Sequence, residues 1–186
     1  MRLWSINPIF FDYKQHKALR NSILAVKSTI EGRSTRYRND PHVLRFIDTA
    51  RNTQSAIASL CAYAWFATSK DNRFMEKYFG VNEDDYNFDN VTGSIAISKA
   101  QILYEFSLLQ SKIHKSGNVW KYKMNKKRSR YVEMHNEVFF VLANEHHLAP
   151  WENNPDDFFY KYSRDLRRTE KIKIIKDGNG EFYADY

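Results

Sequence analysis

The sequence predicts a mainly α-helical fold, a compact bundle of three or more helices with a small C-terminal helix and β-hairpin added to it. Three observations carry that expectation. Apolar residues recur at helical spacing in several segments, polar N-caps and glycines bracket those segments, and the clear hairpin signal, Asp177 to Gly180, lies near the C-terminus. With 186 residues, 42% hydrophobic and 16% aromatic, the chain can bury enough apolar surface to offset its ordering entropy, which excludes a disordered chain.

The elements follow in order. MRLWSINP is short, aromatic and stopped by Pro8. Asp12 then reads as an N-cap with Gln15 at the N3 position of a capping box. Leu19, Ile23, Val26 and Ile30 trace the apolar stripe of a first helix that Gly32 ends. Lys14, Lys17, Arg20 and Lys27 fall largely away from that stripe and give the helix a cationic face. GRSTRYRNDPH is a polar loop in which Arg33, Arg36 and Arg38 surround Tyr37. Asp40 closes it as N-cap, with Pro41 at the first position of a short helix through Phe46. From Asn52 to about Ser69, Ile57, Leu60, Cys61, Ala64 and Trp65 match the helical template, and the scarcity of charge predicts a central, buried helix. Residues 82–90, NEDDYNFDN, read as a solvated loop, because the glycine that a calcium-binding loop needs at its sixth position is missing.

Ser98 with Gln101 repeats the capping-box pattern, and Ile102, Phe106, Leu109 and Ile113 trace another long helix that Gly117 ends. In VWKYKMNKKRSRY, residues 119–131, six cations fall within ten positions, with Trp120, Tyr122 and Tyr131 interleaved. Cations neutralise phosphates while aromatic faces stack on bases, so this is a candidate nucleic-acid surface; the alternative is a solvated loop whose aromatics tuck into the core. EVFFVL reads as a buried strand or short core element. NNPDDFFYKYSRDLRR reads as a helix capped by Asn154 with Pro155 at its first position, and KIKIIKDGNGEFYADY as the hairpin.

Charge and composition narrow the function. Lys and Arg number 29 against 22 Asp and Glu, for a net charge of +7, so the surface field favours polyanions. One cysteine, Cys61, excludes an internal disulfide framework and a Cys-based zinc site; between Leu60 and Ala62 it reads as a buried thiol. No apolar run is long enough for a membrane span and no secretory signal is visible, so a cytoplasmic location and no membrane partner are expected. P-loop, dinucleotide, nucleophile-elbow and paired-histidine zinc motifs are all missing, so neither cofactor nor metal is expected. His146 and His147 are adjacent and would point in different directions in a regular element, which disfavours a metal shared between them.

Several ordered blocks carry a resemblance. MRLWSINP, the Asp12 helix, TRYRNDPHVLRF, SIAISKAQILYE and HNEVFFVLANEHHLAPWE together resemble the bacterial relatives of bacteriophage endonuclease V, the pyrimidine-dimer DNA glycosylases and abasic-site lyases. VWKYK resembles that family's aromatic, lysine-rich tail. The match spans roughly residues 1–152, the endonuclease V-like helical domain, and leaves 153–186 as a C-terminal extension packed on it.

The resemblance implies a nucleophile that is the α-amine of the first residue. Arg2 aligns with the family's arginine near the amino end and puts Met1 at that position; Arg2 is also too large for ordinary methionine removal. An α-amine titrates near ~7.7–8.0, so a useful share is neutral at cellular pH and can attack C1′ of the sugar to form an imine. The family's catalytic glutamate, which follows an arginine on the first helix, falls on Asn21 after Arg20. Asn21 can hydrogen-bond but cannot act as a general base. Asp40 stands where relatives carry His before Pro. Candidate DNA or ligand contacts are Arg2, His16, Arg20, Arg36, Tyr37, Arg38, Trp120, Lys121, Tyr122 and Lys123.

Three functions follow as expectations. The first is a DNA-repair glycosylase and abasic-site lyase acting on damaged duplex DNA. The second is a catalytically impaired homologue that binds DNA or a small nucleotide, as a sequestering protein of a phage or mobile element would. The third is an interaction module whose C-terminal hairpin recruits a partner.

Overall fold

The structure is a computed structural model that describes residues 1–82, 84, 95–115, 136, 139–149, 152, 155, 158–163 and 168–185. The described residues are mainly helical, in five α-helices, with two small sheets. None of their helices is long and apolar enough to cross a membrane. The chain divides into two compact units, Met1–Ile95 with Asn136–Phe140, and Ala96–His135 with Val141–Tyr186.

The first unit holds a short 3₁₀ turn, Pro8–Phe10, and helices α1 (Tyr13–Ile30), α2 (Pro41–Ile47), α3 (Thr53–Ala67) and α4 (Asn72–Phe79). Each start is made by a side chain that satisfies an orphan N–H of the first turn. The Asp12 carboxylate accepts from Gln15 N at 2.8 Å, and Asn52 and Ser55 cap α3 reciprocally. Gly32 and Gly80 take positive φ, +75° and +67°, just beyond α1 and α4, which suits glycine and ends both helices. Helix α3 packs against α1, α2 and α4, and the run from Leu60 to Ala67 is buried residue after residue, as its lack of charge predicts. Ala62, Tyr63, Ala64 and Trp65 are each no more than 4% exposed, so small and large side chains alternate along this buried stretch.

One cation sits inside this core. Arg45, 7% exposed, donates from Nη2 to the Leu3 carbonyl at 3.0 Å and spreads its guanidinium over Phe46, Tyr63 and Phe139 at 5.1, 5.3 and 5.2 Å. Ring faces offer a buried guanidinium the negative potential that water would otherwise supply.

Strands β1 (Ile95–Ser98) and β2 (Phe139–Leu142) pair as a two-stranded sheet, and the chain passes from one unit to the other within each. The second unit holds α5 (Lys99–Lys115) and an antiparallel sheet of β3 (Phe158–Ser163), β4 (Arg168–Lys176) and β5 (Phe182–Asp185) in that order. Ser98 Oγ caps α5 by accepting from Gln101 N at 3.0 Å, as the sequence pattern predicts. Ala100 and Tyr104 of α5 share a core with Ile172 and Ile174 of β4, Leu148 and Ala184. On β4 the alternation is clean, with Ile172 and Ile174 buried and Lys171 and Lys173 exposed.

One expectation is overturned. The C-terminal helix expected after Asn154 and Pro155 gives way to β3 over Phe158–Ser163, registered on β4 from Phe158↔Lys173 to Ser163↔Arg168. FFYKYS is aromatic and holds no strong helix former besides Lys161, so pleated pairing wins over the capping signal ahead of it. The expected hairpin is present as β4–β5, and β3 widens it to three strands.

Candidate functional site

In the first unit the amino-terminal segment is threaded through the core. Leu3, Trp4, Ser5 and Ile6 are buried. Their backbone is fixed by Arg45 on the Leu3 carbonyl, by Tyr63 Oη on the Trp4 carbonyl at 2.6 Å, and by Asn136 N on the Ser5 carbonyl at 2.7 Å. This anchoring stops at Leu3; Met1 is 37% exposed as a residue but its side chain only 4%, so the exposed part is its backbone with the α-amine.

The Met1 α-amine lies 4.0 Å from Asp40 Oδ2. The loop before α2 sets that carboxylate: Asp40 N donates to the Tyr37 carbonyl at 3.0 Å, and Asp40 Oδ1 accepts from His42 N at 2.9 Å as the helix cap. His42 is buried beside them and its pKa is pushed down to about 2, chiefly by burial and further by Arg45, Arg2 and the α-amine. It is therefore a neutral imidazole at any cellular pH.

A line of rings and cations leads away from the amine. The Arg2 guanidinium sits 5.2 Å over Trp4, Trp4 meets Phe11 at 6.3 Å, and Phe11 meets His16 edge-on at 5.5 Å. Burial, and then Arg20, lower the His16 pKa against the opposing pull of Asp12. Arg20 is ion-paired to Asp71 at 2.5 Å and lies 5.2 Å over Phe74.

Of the candidate residues, Arg2, His16 and Arg20 thus lie along one run of contacts, and Met1 joins Asp40 and His42. Arg36 covers Tyr37 at 5.2 Å in the turn that leads to Asp40, with Arg38 exposed beside them. Asn21 is exposed on α1. Trp120, Lys121, Tyr122 and Lys123 lie outside the described residues. Sequence reading marked Asp40 only as a helix cap and a family departure, and passed over His42 and Asp71. Cys61 is buried and its thiol is pushed up to about 12 by burial, against a small opposing effect of Lys27, so it is no nucleophile.

The second unit carries a separate polar cluster. Gln101, fully buried, donates through Nε2 to Glu105 at 2.9 Å and to Glu152 at 2.8 Å, and accepts from Ala149 N at 2.9 Å. Beside it a cleft of about 520 Å³ is lined by Glu145, His147, Glu152, Lys176, Glu181 and Phe182, among others. His147 Nδ1 meets Glu145 Oε1 at 2.7 Å, and that hydrogen bond is the main cause of its raised pKa.

No family model matches the chain, and neither the curated proteins nor the solved structures contain one that is significantly similar to it.

Proposed function

We propose that the protein is a pyrimidine-dimer-type DNA glycosylase and abasic-site lyase that works in the cytoplasm on damaged duplex DNA through the α-amine of Met1. The observation that carries this reading is the amine held 4.0 Å from the Asp40 carboxylate. Arg2 lies along the same segment, and Arg36 and Arg38 in the loop before Asp40 can engage flanking phosphates.

The chemistry needs a nucleophile and a proton carrier. On a dimer the neutral amine displaces the base from C1′ and the sugar ring opens, while at an abasic site it adds to the C1′ aldehyde of the open-chain sugar and water leaves; either way an imine joins Met1 to the DNA. Loss of a C2′ proton then expels the 3′ phosphate, and water releases the amine. In this reading Asp40, 4.0 Å from the amine, takes the amine proton and the C2′ proton, a role that Asn21 cannot fill and that neutral, buried His42 is poorly suited to. The test is a duplex carrying one abasic site or one pyrimidine dimer. Strand scission leaving an unsaturated aldehyde at the 3′ end supports the reading, and intact strands under conditions where a family enzyme cleaves fully overturn it.

One observation favours a second reading. Asn21 is exposed and cannot ionise, and Arg20 next to it is already engaged by Asp71. A homologue of this kind would hold DNA or a nucleotide without turning it over. Filter binding would then show salt-sensitive affinity for the same duplexes with no product.

A further inference from the structure

We propose that His147, Asp177 and Glu181, brought together at the β4–β5 turn of the second unit, form a binding site for a divalent transition-metal cation. The three offer one ligand atom each, and these atoms all lie within 4.8 Å of one another.

The backbone around them is held by hydrogen bonds. Residues 146–148 run antiparallel to β5, with Ala184 N on the His146 carbonyl at 2.8 Å and Leu148 N on the Phe182 carbonyl at 2.7 Å. Ser98 Oγ donates to the His147 carbonyl at 2.5 Å. The turn opposite is closed by Asp177 N on the Glu181 carbonyl at 2.8 Å, with Gly180 at φ +86°. Asp177 Oδ1 accepts from Asn179 N and Glu181 N, each at 2.9 Å, so its orientation is set and Oδ2 is left facing His147 Nε2 at 3.6 Å.

The His147 ring is oriented from behind. A carboxylate only accepts, so the 2.7 Å contact of Nδ1 with Glu145 puts the ring proton on Nδ1 and leaves the lone pair of neutral imidazole on Nε2. Glu145 also accepts from His147 N at 2.9 Å, which holds both groups in place. A carboxylate behind a histidine that presents its other nitrogen is the usual support of a metal ligand. Here the lone pair is directed at carboxylate oxygens. Acceptors that face one another repel unless a positive charge lies between them, either a proton on Nε2 or a metal ion.

The dimensions suit the metal. With metal–ligand bonds of about 2.1 Å, the ligand atoms of a tetrahedral site stand about 3.4 Å apart, close to the 3.6 Å between Nε2 and Oδ2. Glu181 is exposed on the turn, and its side chain can close the remaining gap by a change of rotamer. One imidazole and two carboxylates suit Zn²⁺ or Mn²⁺ rather than a thiolate-seeking ion. His147 and Glu181 also line the 520 Å³ cleft, so a bound ion would keep an open coordination position towards it. Sequence spacing gives no hint of this site, because His147 lies far along the chain from Asp177 and Glu181.

The test is isothermal titration of the full, tag-free, metal-stripped chain with Zn²⁺ and with Mn²⁺ at neutral pH, repeated on Asp177→Asn, Glu181→Gln and His147→Ala. Asp177→Asn keeps an oxygen for the turn and so preserves the fold. One equivalent should bind at micromolar or tighter concentration, and each variant should bind at least ~10-fold more weakly. The ¹⁵N shift of His147 Nε2 should move on addition of Zn²⁺. No uptake below millimolar metal, or uptake that all three variants leave unchanged, overturns the proposal; a His147 that stays protonated on both nitrogens in excess Zn²⁺ does so as well.

Discussion

The α-amine of Met1 and the carboxylate of Asp40 stand 4.0 Å apart, and the same carboxylate caps α2 through its other oxygen, at 2.9 Å from His42 N. Capping fixes the Asp40 side chain before any ligand arrives. The carboxylate is thereby preorganised by secondary structure, at the N-terminus of a seven-residue helix whose sequence alone, Asp-Pro, already marks it as a start.

Asp40→Asn separates the two roles. Asparagine caps a helix about as well as aspartate, so the melting temperature should stay within the equivalent of ~0.5 kcal/mol of the parent. Imine formation on abasic DNA should fall by roughly 10²–10⁴-fold, the usual contribution of a positioned acid or base. Single-turnover cleavage beside thermal unfolding checks both halves; an unchanged rate would remove Asp40 from the chemistry.

Acid should destabilise the first unit through His42. Its folded-state pKa is about 2, whereas in the unfolded chain an imidazole titrates near ~6.5. Below ~6.5 the unfolded state gains a proton that the folded state refuses, so the stability that His42 contributes is complete above that pH and is lost as pH falls towards 2. The loss approaches ~1.4 kcal/mol per pH unit. Denaturant titrations between about pH 7 and about pH 5 should show the decline in the parent and a shallower one in His42→Gln. Equal slopes would contradict the burial of a neutral ring.

Gln101 organises the second unit. Gln101→Leu deletes the donor shared by Glu105 and Glu152 and the acceptor of the Ala149 N–H, all in buried or half-buried surroundings. A cost of about 2–4 kcal/mol in chemical denaturation is expected, because buried polar groups lose partners that leucine cannot replace. Gln101→Glu should be more damaging at neutral pH and partly relieved in mild acid, where the added carboxyl can be protonated. A loss below ~0.5 kcal/mol for the leucine variant would show that the cluster carries no net stability.

Helix starts were the most legible feature of the sequence, because caps are local: Asp12, Asp40 and Ser98 all cap where the pattern places them. The turn from Asp177 to Gly180 was legible for the same reason. Strand β3 was misread because Asn154-Pro155 gives a local helix-start signal, while the choice of strand depends on β4 lying alongside. Helix α4 passed unnoticed; it is a short element, bounded by the Asp71 cap and Gly80, with too few turns for periodicity to register. The candidate site was legible only where residues act singly, as Arg2 or Arg20 do. That Asp40 meets Met1, that Arg20 is taken by Asp71, and that Glu145 orients His147 towards the β4–β5 turn are consequences of packing, which no spacing rule encodes.

The most direct test is borohydride reduction of the protein in the presence of duplex DNA with a single abasic site, followed by mass spectrometry of the trapped complex. The reading predicts one covalent adduct per chain, carried on the amino-terminal peptide through the Met1 nitrogen, and its loss when that amine is acetylated beforehand. No trapped complex, or an adduct that survives acetylation and maps to a lysine side chain, would contradict it.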